Sequence, residues 1–371
     1  MKIAIIGGDI IQKKGGFETF TSELSKRINK ESGISIVVYC ENYGSDELIR
    51  DEYNGIKRVL VPRKGKWVWL ILNRIISVND AIRVEKVNVI LLLGYVAAPF
   101  IKVSQLKKFN IKLIINPDGL EWKRSKYPLF LRAYLKLCEL ISVKKADVIV
   151  ADSIKIGEYI KEKYKKICQY IPYGTNLIDL TKLGKENDFI RSLGLSPKEY
   201  YTVISRCVPE NNLLMIIKGF KKCSTEKKLL IITNLDNSRY SKKVKKACIN
   251  DKRIILYGPL YDEEKIIQVR SNAFGYIHGH SVGGTNPSLV EAMGCGNIII
   301  AHNNVFNKEV ISERLGYFFS NSDELEKIIN LIDKERNLEA KTSLLIERAK
   351  NKYNWGDIVE KYILLFKSLE G

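Results

Sequence analysis

Two histidines stand two positions apart, His278 and His280, in the segment "YIHGHSVGGTNPSLVEAMGCG" (276–296), and the whole chain has only three. Histidines beside paired glycines and an acid could bind a metal, cradle an anion or make a packed polar turn. For a metal, His-x-His on a strand would put both rings on one face, but no cysteine or carboxylate stands beside them at ligand spacing. For an anion the pattern is better. Pro287 suits the first position of a helix and pushes Asn286 out of the α region, so Asn286 reads as an N-cap. Gly283, Gly284 and Thr285 then bring bare amides to a helix N-terminus, with Ser288 in the first turn and Glu291 about one turn inside. His280 reads as a donor to a phosphate or sugar, with packed polar histidines as the alternative.

Other stretches offer related chemistry. Gly7-Gly8 and Gly15-Gly16 follow the first strand pattern and lead into "FETFTSELSKRI", where backbone amides could approach an anion or form a tight turn. This is not GxGxxG, and no acid follows at the dinucleotide spacing. "NPDGLEWKR" (116–124) follows an apolar run and places Asp118 and Glu121 with Arg124 in one post-strand loop, unless Asp118 is only a turn former. "SRCVPENN" (205–212) ends a strand on Arg206, whose guanidinium could fork two phosphate oxygens or pair with Glu210. Asn211 in that loop and Gly258, after the strand pattern ending at Tyr257, are further donor-side candidates.

These residues need elements to position them. Short Val/Ile-rich runs alternate with helical patterns along all 371 residues, which indicates parallel sheets covered on both faces. The first half predicts strands at 3–6, 34–39, 57–61, 89–93, 112–115 and 148–150, with helices at 17–29, 67–85, 97–107, 129–145 and 154–164. The pattern restarts at "YYTVISR" after "YIPYGTN". The second half predicts strands at 201–205, 228–233, 253–257, 275–278 and 297–301, with helices between and after them. The fold class is therefore α/β, with two Rossmann-like domains, 1–175 and 176–351, facing each other across a cleft. An amphipathic C-terminal helix lies within 352–371. Ligands in such sheets bind outside the carboxyl ends of strands, where all these candidates lie.

Composition narrows the class. Hydrophobic residues are 45% and charged residues 28%, so the chain is globular. The longest apolar run, 89–101, is too short to span a bilayer, and no cleavable signal is read at the start. Seven scattered cysteines without Cys-x-x-Cys indicate reduced thiols in the cytoplasm. The net charge is +19, and residues 1–175 carry 31 Lys+Arg against 18 Asp+Glu. That balance suggests an anionic partner or merely a lysine-rich surface. "RKGKWVWLILNRIISVNDAIR" (63–83) and "EWKRSKYPLFLRAYLK" (121–136) mix basic and aromatic residues as a peripheral membrane surface would.

Taken in chain order, "GGFETF", "NPDGLEWKRSKY", "ADVIVADS", "IPYGTN", "SRCVPENN" and "YIHGHSVGGTNPSLVEAMG" resemble glycosyltransferase family 4, of GT-B fold, over essentially the whole chain. They most resemble its bacterial rhamnosyltransferase subgroup, which builds capsule and other cell-surface polysaccharides. The resemblance implies a retaining transfer of a sugar, L-rhamnose from dTDP-L-rhamnose, onto a lipid-pyrophosphate-linked saccharide, with the alternative of a UDP- or GDP-hexose donor. It implies Glu291 at the nucleotide ribose, Arg206 at the pyrophosphate, and Asp118 and Glu121 on the acceptor side. It implies the C-terminal helix returning to the N-terminal domain, no metal or other cofactor, no nucleic acid, and a cytoplasmic enzyme on the inner face of the membrane. Two departures stand out. The family's lysine shortly after the arginine is missing, with Asn211 and Asn212 there instead. The family's first glutamate, eight positions before Glu291, is Gly283, and His280 or Ser281 would take over its contact. A noncatalytic GT-B relic, a dinucleotide enzyme and a nucleic-acid binder are the competing classes.

Overall fold

The computed structural model describes residues 1–10, 15–28, 33–65, 67–117, 119–124, 127–176, 188–335 and 337–370. The chain divides into two compact units. One comprises Met1–Lys123, Tyr127–Gly174 and Trp355–Gly371; the other comprises Thr175–Asn354, with Arg124 counted in it.

The first unit has an eight-stranded sheet of β1 (Lys2–Ile6), β2 (Ser35–Asn42), β3 (Ile49–Tyr53), β4 (Ile56–Pro62), β5 (Val89–Leu93), β6 (Lys112–Asn116), β7 (Val148–Ala151) and β8 (Gln169–Tyr170). Their order is β3-β4-β2-β1-β5-β6-β7-β8, parallel except for the antiparallel β3–β4 pair. β5 is buried at all five positions, as a central parallel strand covered on both faces must be. The edge strand β3 escapes the hydrophobic pattern because all five of its residues are exposed. It is made instead by the Asn54-Gly55 turn, where both residues have positive φ, as a two-residue hairpin of this type requires.

The expected helix at 97–107 is broken into a 3₁₀ turn, Ala98–Phe100, and a helix, Val103–Lys108. Ile101 is extended between them. The Lys145 ammonium donates to the carbonyls of Ala98, Pro99 and Ile101 at 2.9, 3.0 and 2.6 Å, oxygens that a continuous helix would have used itself. The C-terminal helix, Trp355–Lys367, carries Trp355, Ile358, Tyr362 and Phe366 into the core of this unit. There Phe20, on the helix Gly16–Ile28, meets Tyr173, Trp355 and Tyr362 with ring centroids 5.4, 6.2 and 5.4 Å apart.

The second unit has β9 (Tyr200–Ile204), β10 (Lys228–Ile232), β11 (Ile254–Tyr257), β12 (Gly275–His278), β13 (Ile298–His302) and β14 (Tyr317–Phe319), all parallel, in the order β11-β10-β9-β12-β13-β14. The chain runs outward one way from β9 and the other way from β12. The junction of those two strands is therefore the topological switch point, where such sheets leave a crevice at the carboxyl ends. In the first unit the switch point lies between β1 and β5. There Gly7, at φ +114°, closes it tightly, since a Cβ would sit 2.3 Å from the Leu93 carbonyl oxygen.

Phe20 is the most connected ring of the first core. Phe20→Ala is expected to destabilise the protein by about 3–5 kcal/mol, the usual cost of deleting a buried aromatic ring. Urea denaturation followed by tryptophan fluorescence measures it, and a shift under about 1 kcal/mol would deny this ring its central place.

Candidate functional site

At the β9–β12 switch point the two strand ends are bound to each other by their loops. After β9 the chain passes Arg206, makes a 3₁₀ turn over Pro209–Asn211, and enters the helix Leu213–Lys222 through Asn212 at φ 50°. After β12 it passes Gly279 and His280. Gly279 lies so close to the first loop that a Cβ would stand 2.1 Å from the Asn211 carbonyl oxygen. Asn212 Nδ2 donates to the Gly279 carbonyl at 2.8 Å. The Ser281 amide and hydroxyl both donate to the Glu210 carbonyl, at 3.0 and 3.1 Å.

Asn211 is buried, and both ends of its amide are engaged: Nδ2 with the Arg206 carbonyl and Oδ1 with His280 Nδ1, each at 2.7 Å. Asn211, expected to contact the donor directly, has both ends of its amide engaged within the protein in this structure. Arg206 itself is exposed, and its guanidinium has no hydrogen-bond or ion-pair partner among the described residues. The alternative of an Arg206–Glu210 ion pair does not form; Glu210 is buried.

His280 is partly exposed, and its carbonyl accepts from Asn304 Nδ2 at 3.1 Å and Asn307 Nδ2 at 3.0 Å. Burial, then the His278 ring and nearby guanidiniums, hold its pKa well below the usual imidazole value, with only the Val282 carbonyl pulling the other way. His278 is more deeply buried, and burial together with His302 and Arg270 pushes its pKa down to about 3. Both rings are neutral at physiological pH. They lie 6.1 Å apart, tilted at 57°. Among the described residues no group of three or more His, Cys, Asp or Glu side chains could hold a metal ion.

The helix Pro287–Gly294 begins as the sequence indicates. Asn286 is its N-cap and accepts from the Ser288 amide at 3.0 Å. That bond corrects one expectation: Ser288 has neither a spare amide nor a spare hydroxyl for a ligand. Its Oγ shares 2.7 Å with the Tyr276 hydroxyl, lies 3.2 Å from the Ile204 carbonyl, and receives Arg270 at 2.9 Å. Any amide contact to an anion therefore falls before Pro287, near Gly283, Gly284 and the buried Thr285. Gly283 has φ +113°, which a side chain would strain.

Glu291 forms an ion pair with the buried Arg270 through Oε2, while its side chain is 31% exposed. Arg270 is the residue that sequence reasoning missed. It sits at the end of an ordinary surface-like helix, Glu263–Asn272, and only the packing turns it inward. Asn304 and Asn307, likewise missed, lie on the short helix Val305–Ile311 and its cap.

The remaining candidates lie elsewhere. Gly258 follows the edge strand β11, with nothing within 4 Å of where its Cβ would be. Gly15 and Gly16 are in the first unit. A Cβ on Gly15 would stand 2.2 Å from the Glu18 carboxylate, so that helix N-terminus already faces an acid of its own chain. Glu121 lies in a 3₁₀ turn of the first unit and accepts from the Tyr127 hydroxyl at 3.0 Å. Arg124 is buried and counted with the second unit. Asp118 lies outside the described residues.

Comparison with known proteins bears on the fold and on the family. Residues 185–352 match the family described as glycosyl transferases group 1, and residues 1–176 match a domain of unknown function, DUF1972. The uncharacterized glycosyltransferase MJ1069 of Methanocaldococcus jannaschii is 25% identical, with 100% of this chain and 99% of that protein covered. Among solved structures, sucrose-phosphate synthase of Thermosynechococcus elongatus superposes with a TM-score of 0.82 at 18% identity, covering 99% of this chain and 98% of that one. Anabaena Alr3699/HepE, solved in complex with UDP-glucose, gives 0.79 at 15% identity over 99% and 100%. The E. coli trehalose-6-phosphate protein bound with UDP-2-fluoro glucose gives 0.74 at 9% identity over 100% and 99%. The chain thus has the GT-B fold, and residues 185–352 of its second unit are similar to the group 1 glycosyl transferases.

The close approach at Gly279 makes one residue decisive. Gly279→Ala must push the end of β12 away from Asn211 backbone, which cannot yield as a flexible side chain would. The expected cost is about 1–3 kcal/mol, the range for overpacking. Thermal unfolding checks it; an unchanged Tm would mean that the two loops are not held together here.

Proposed function

We propose that this glycosyltransferase is a retaining enzyme that moves L-rhamnose from dTDP-L-rhamnose onto a lipid-pyrophosphate-linked saccharide in capsule or cell-wall polysaccharide synthesis. The observation that carries the donor side is the meeting of an exposed Arg206 with no partner among the described residues, an ion-paired but accessible Glu291 and the neutral His280 at one switch point. Glu291 accepts from the nucleotide ribose through the oxygen that Arg270 leaves open. Arg206 forks the diphosphate. As the bond from the anomeric carbon to the phosphate oxygen breaks, the electron pair leaves with the diphosphate, and Arg206 meets the charge that develops. The acceptor hydroxyl bonds to the anomeric carbon from the same face and gives its proton to the departing phosphate oxygen. Asp118 and Glu121 serve the acceptor. No divalent metal is needed, because Arg206 and backbone amides meet the leaving charge.

The rhamnosyl donor rests on the motif resemblance around "GHSVGGTNPSLVEAMG". A UDP-hexose donor is the second reading, and the neighbours solved with UDP-glucose and UDP-2-fluoro glucose favour it. Nucleotide release from dTDP-, UDP- and GDP-sugars, assayed in excess chelator, separates the two. Arg206→Ala is expected to lower turnover on the preferred donor by about 10²–10³, the loss seen when a donor to a developing anion is removed. Near-wild-type turnover would remove Arg206 from the pyrophosphate, and a divalent-ion requirement would overturn the metal-free scheme.

The acceptor's lipid calls for a membrane surface, and the first unit has a candidate for one. No helix among the described residues is long and apolar enough to cross a membrane. The helix Leu129–Lys145 leaves Leu129 and Phe130 78% and 76% exposed, near Lys123 and Arg132 in sequence. The helix Trp67–Arg83 exposes Val68, Leu72 and Ile76, one apolar stripe at i, i+4, i+8. Each basic residue near an anionic leaflet contributes roughly 1 kcal/mol, screened within about 10 Å at 0.1 M salt. The protein is therefore expected to co-sediment with anionic vesicles at low salt and to be released at high salt. Equal binding to neutral vesicles, or none to either, would refute electrostatic docking.

A further inference from the structure

We propose that the helix Arg239–Cys248 of the second unit is a docking surface for an anionic membrane leaflet, its unpaired basic face meeting the lipid phosphates. This surface is separate from the one proposed on the first unit. It does not rest on the choice of donor or acceptor.

The charge of the second half of the chain is concentrated on this helix. Residues 176–371 carry 30 Lys+Arg against 24 Asp+Glu. The helix "RYSKKVKKAC" holds five of the former and none of the latter, which leaves 25 against 24 elsewhere. A lysine-rich background would have spread the excess evenly, and here the remainder is balanced.

The five charges have no internal use. Arg239, Lys242, Lys243, Lys245 and Lys246 are all exposed, and none has an ion-pair or hydrogen-bond partner among the described residues. Other surface lysines of this unit are paired, as Lys222 is with Asp323, Lys265 with Asp262 and Lys308 with Glu313. The buried side of the helix is held by Ser241 and Val244, so the basic residues contribute charge to the surface and not packing to the core. Their spacing is also unfavourable in isolation. Arg239 and Lys243, and Lys242 and Lys246, stand four apart, where like charges repel across one helical turn. Arg239 adds a cation to the first turn, against the helix dipole, where no acid offsets it. An anionic surface relieves both costs.

The kind of anion follows from the side chains. Four of the five are lysines, compact charges on flexible stems that respond to the density of negative charge and not to the planar geometry an arginine fork reads. From Arg239 to Lys246 the helix advances about 10 Å, which is about one Debye length at 0.1 M salt, so the charges act as one patch. Tyr240 is the one aromatic residue of the helix and is partly buried, so there is no platform on which bases would stack. Ile249, directly after the helix, is 60% exposed and gives the patch an apolar edge. A convex face of lysines with one apolar neighbour suits the headgroup layer of anionic lipid.

Two measurements test this. The first uses the wild-type protein: lysine acylation footprinting with phosphatidylglycerol vesicles and with phosphatidylcholine vesicles at low salt. Lys242, Lys243, Lys245 and Lys246 are expected to be labelled severalfold less with the anionic vesicles. Equal labelling with both, or no binding of the protein to phosphatidylglycerol, would overturn the proposal, whatever other polyanion the helix retains. The second is co-sedimentation of the combined variant Lys242→Gln, Lys243→Gln, Lys245→Gln and Lys246→Gln, which leaves the first unit and the buried side of the helix unchanged. Its partition onto phosphatidylglycerol vesicles should fall by roughly 10²–10³, since each basic residue at an anionic surface contributes about 1 kcal/mol and 1.4 kcal/mol is tenfold. A fall of less than about threefold would assign any membrane binding to the first unit alone and overturn the proposal. Nucleotide release from the preferred sugar nucleotide in the absence of vesicles should stay within about twofold of wild type. If no sugar nucleotide is turned over by either protein, the glycosyl-transfer reading fails while the docking surface stands on the vesicle results.

Discussion

The side-chain amide of Asn211 ties the carboxyl ends of β9 and β12 together, and the arrangement of the candidate site depends on that tie. Two parallel strands that diverge at a switch point leave a crevice but do not by themselves fix the loops around it. Here Gly279 brings one loop against the backbone of the other, and the Asn211 amide spans them. An amide has one donor end and one acceptor end, so the tie also transmits polarity.

A second network does similar work one layer deeper. Arg270 is a buried charge, and burying a guanidinium costs several kcal/mol unless its partners are good. It has Glu291 on one side and Ser288 on the other, and Ser288 reaches Tyr276 and the end of β9. The carboxylate is held at its inner oxygen while its outer side stays open to solvent. Such an arrangement is weak evidence for stability and better evidence for preorganisation, since it holds an acceptor in one orientation before any ligand arrives.

The first unit is built for other ends. Its switch point is closed by Gly7 against Leu93, and its core is completed by a helix from the far end of the chain. Its helices leave apolar side chains in water at spacings that make stripes, beside a surplus of positive charge. Among them, Leu129 and Phe130 are exposed side by side at the start of one helix.

The sequence by itself determined the sheets, most of the helices and the neighbourhood of the candidate site. Parallel strands buried on both faces are read directly from runs such as "VILLL", and the Asn286 cap from Asn-Pro. It also brought Arg206, His280 and Glu291 forward, because post-strand residues lie at strand ends in any such fold. It could not show β3, whose exposed residues have no apolar period and whose existence depends on pairing with β4 across Asn54-Gly55. Nor could it show Arg270, whose place on a polar-looking helix is the same as that of any solvated arginine until packing buries it. Only the tertiary structure could show Asn211 and Ser288 engaged by partners within the protein. Residue type and spacing set which groups lie near a site. The polarity of each hydrogen bond is decided by the partner across the fold, and that partner is 69 residues away in the chain for His280.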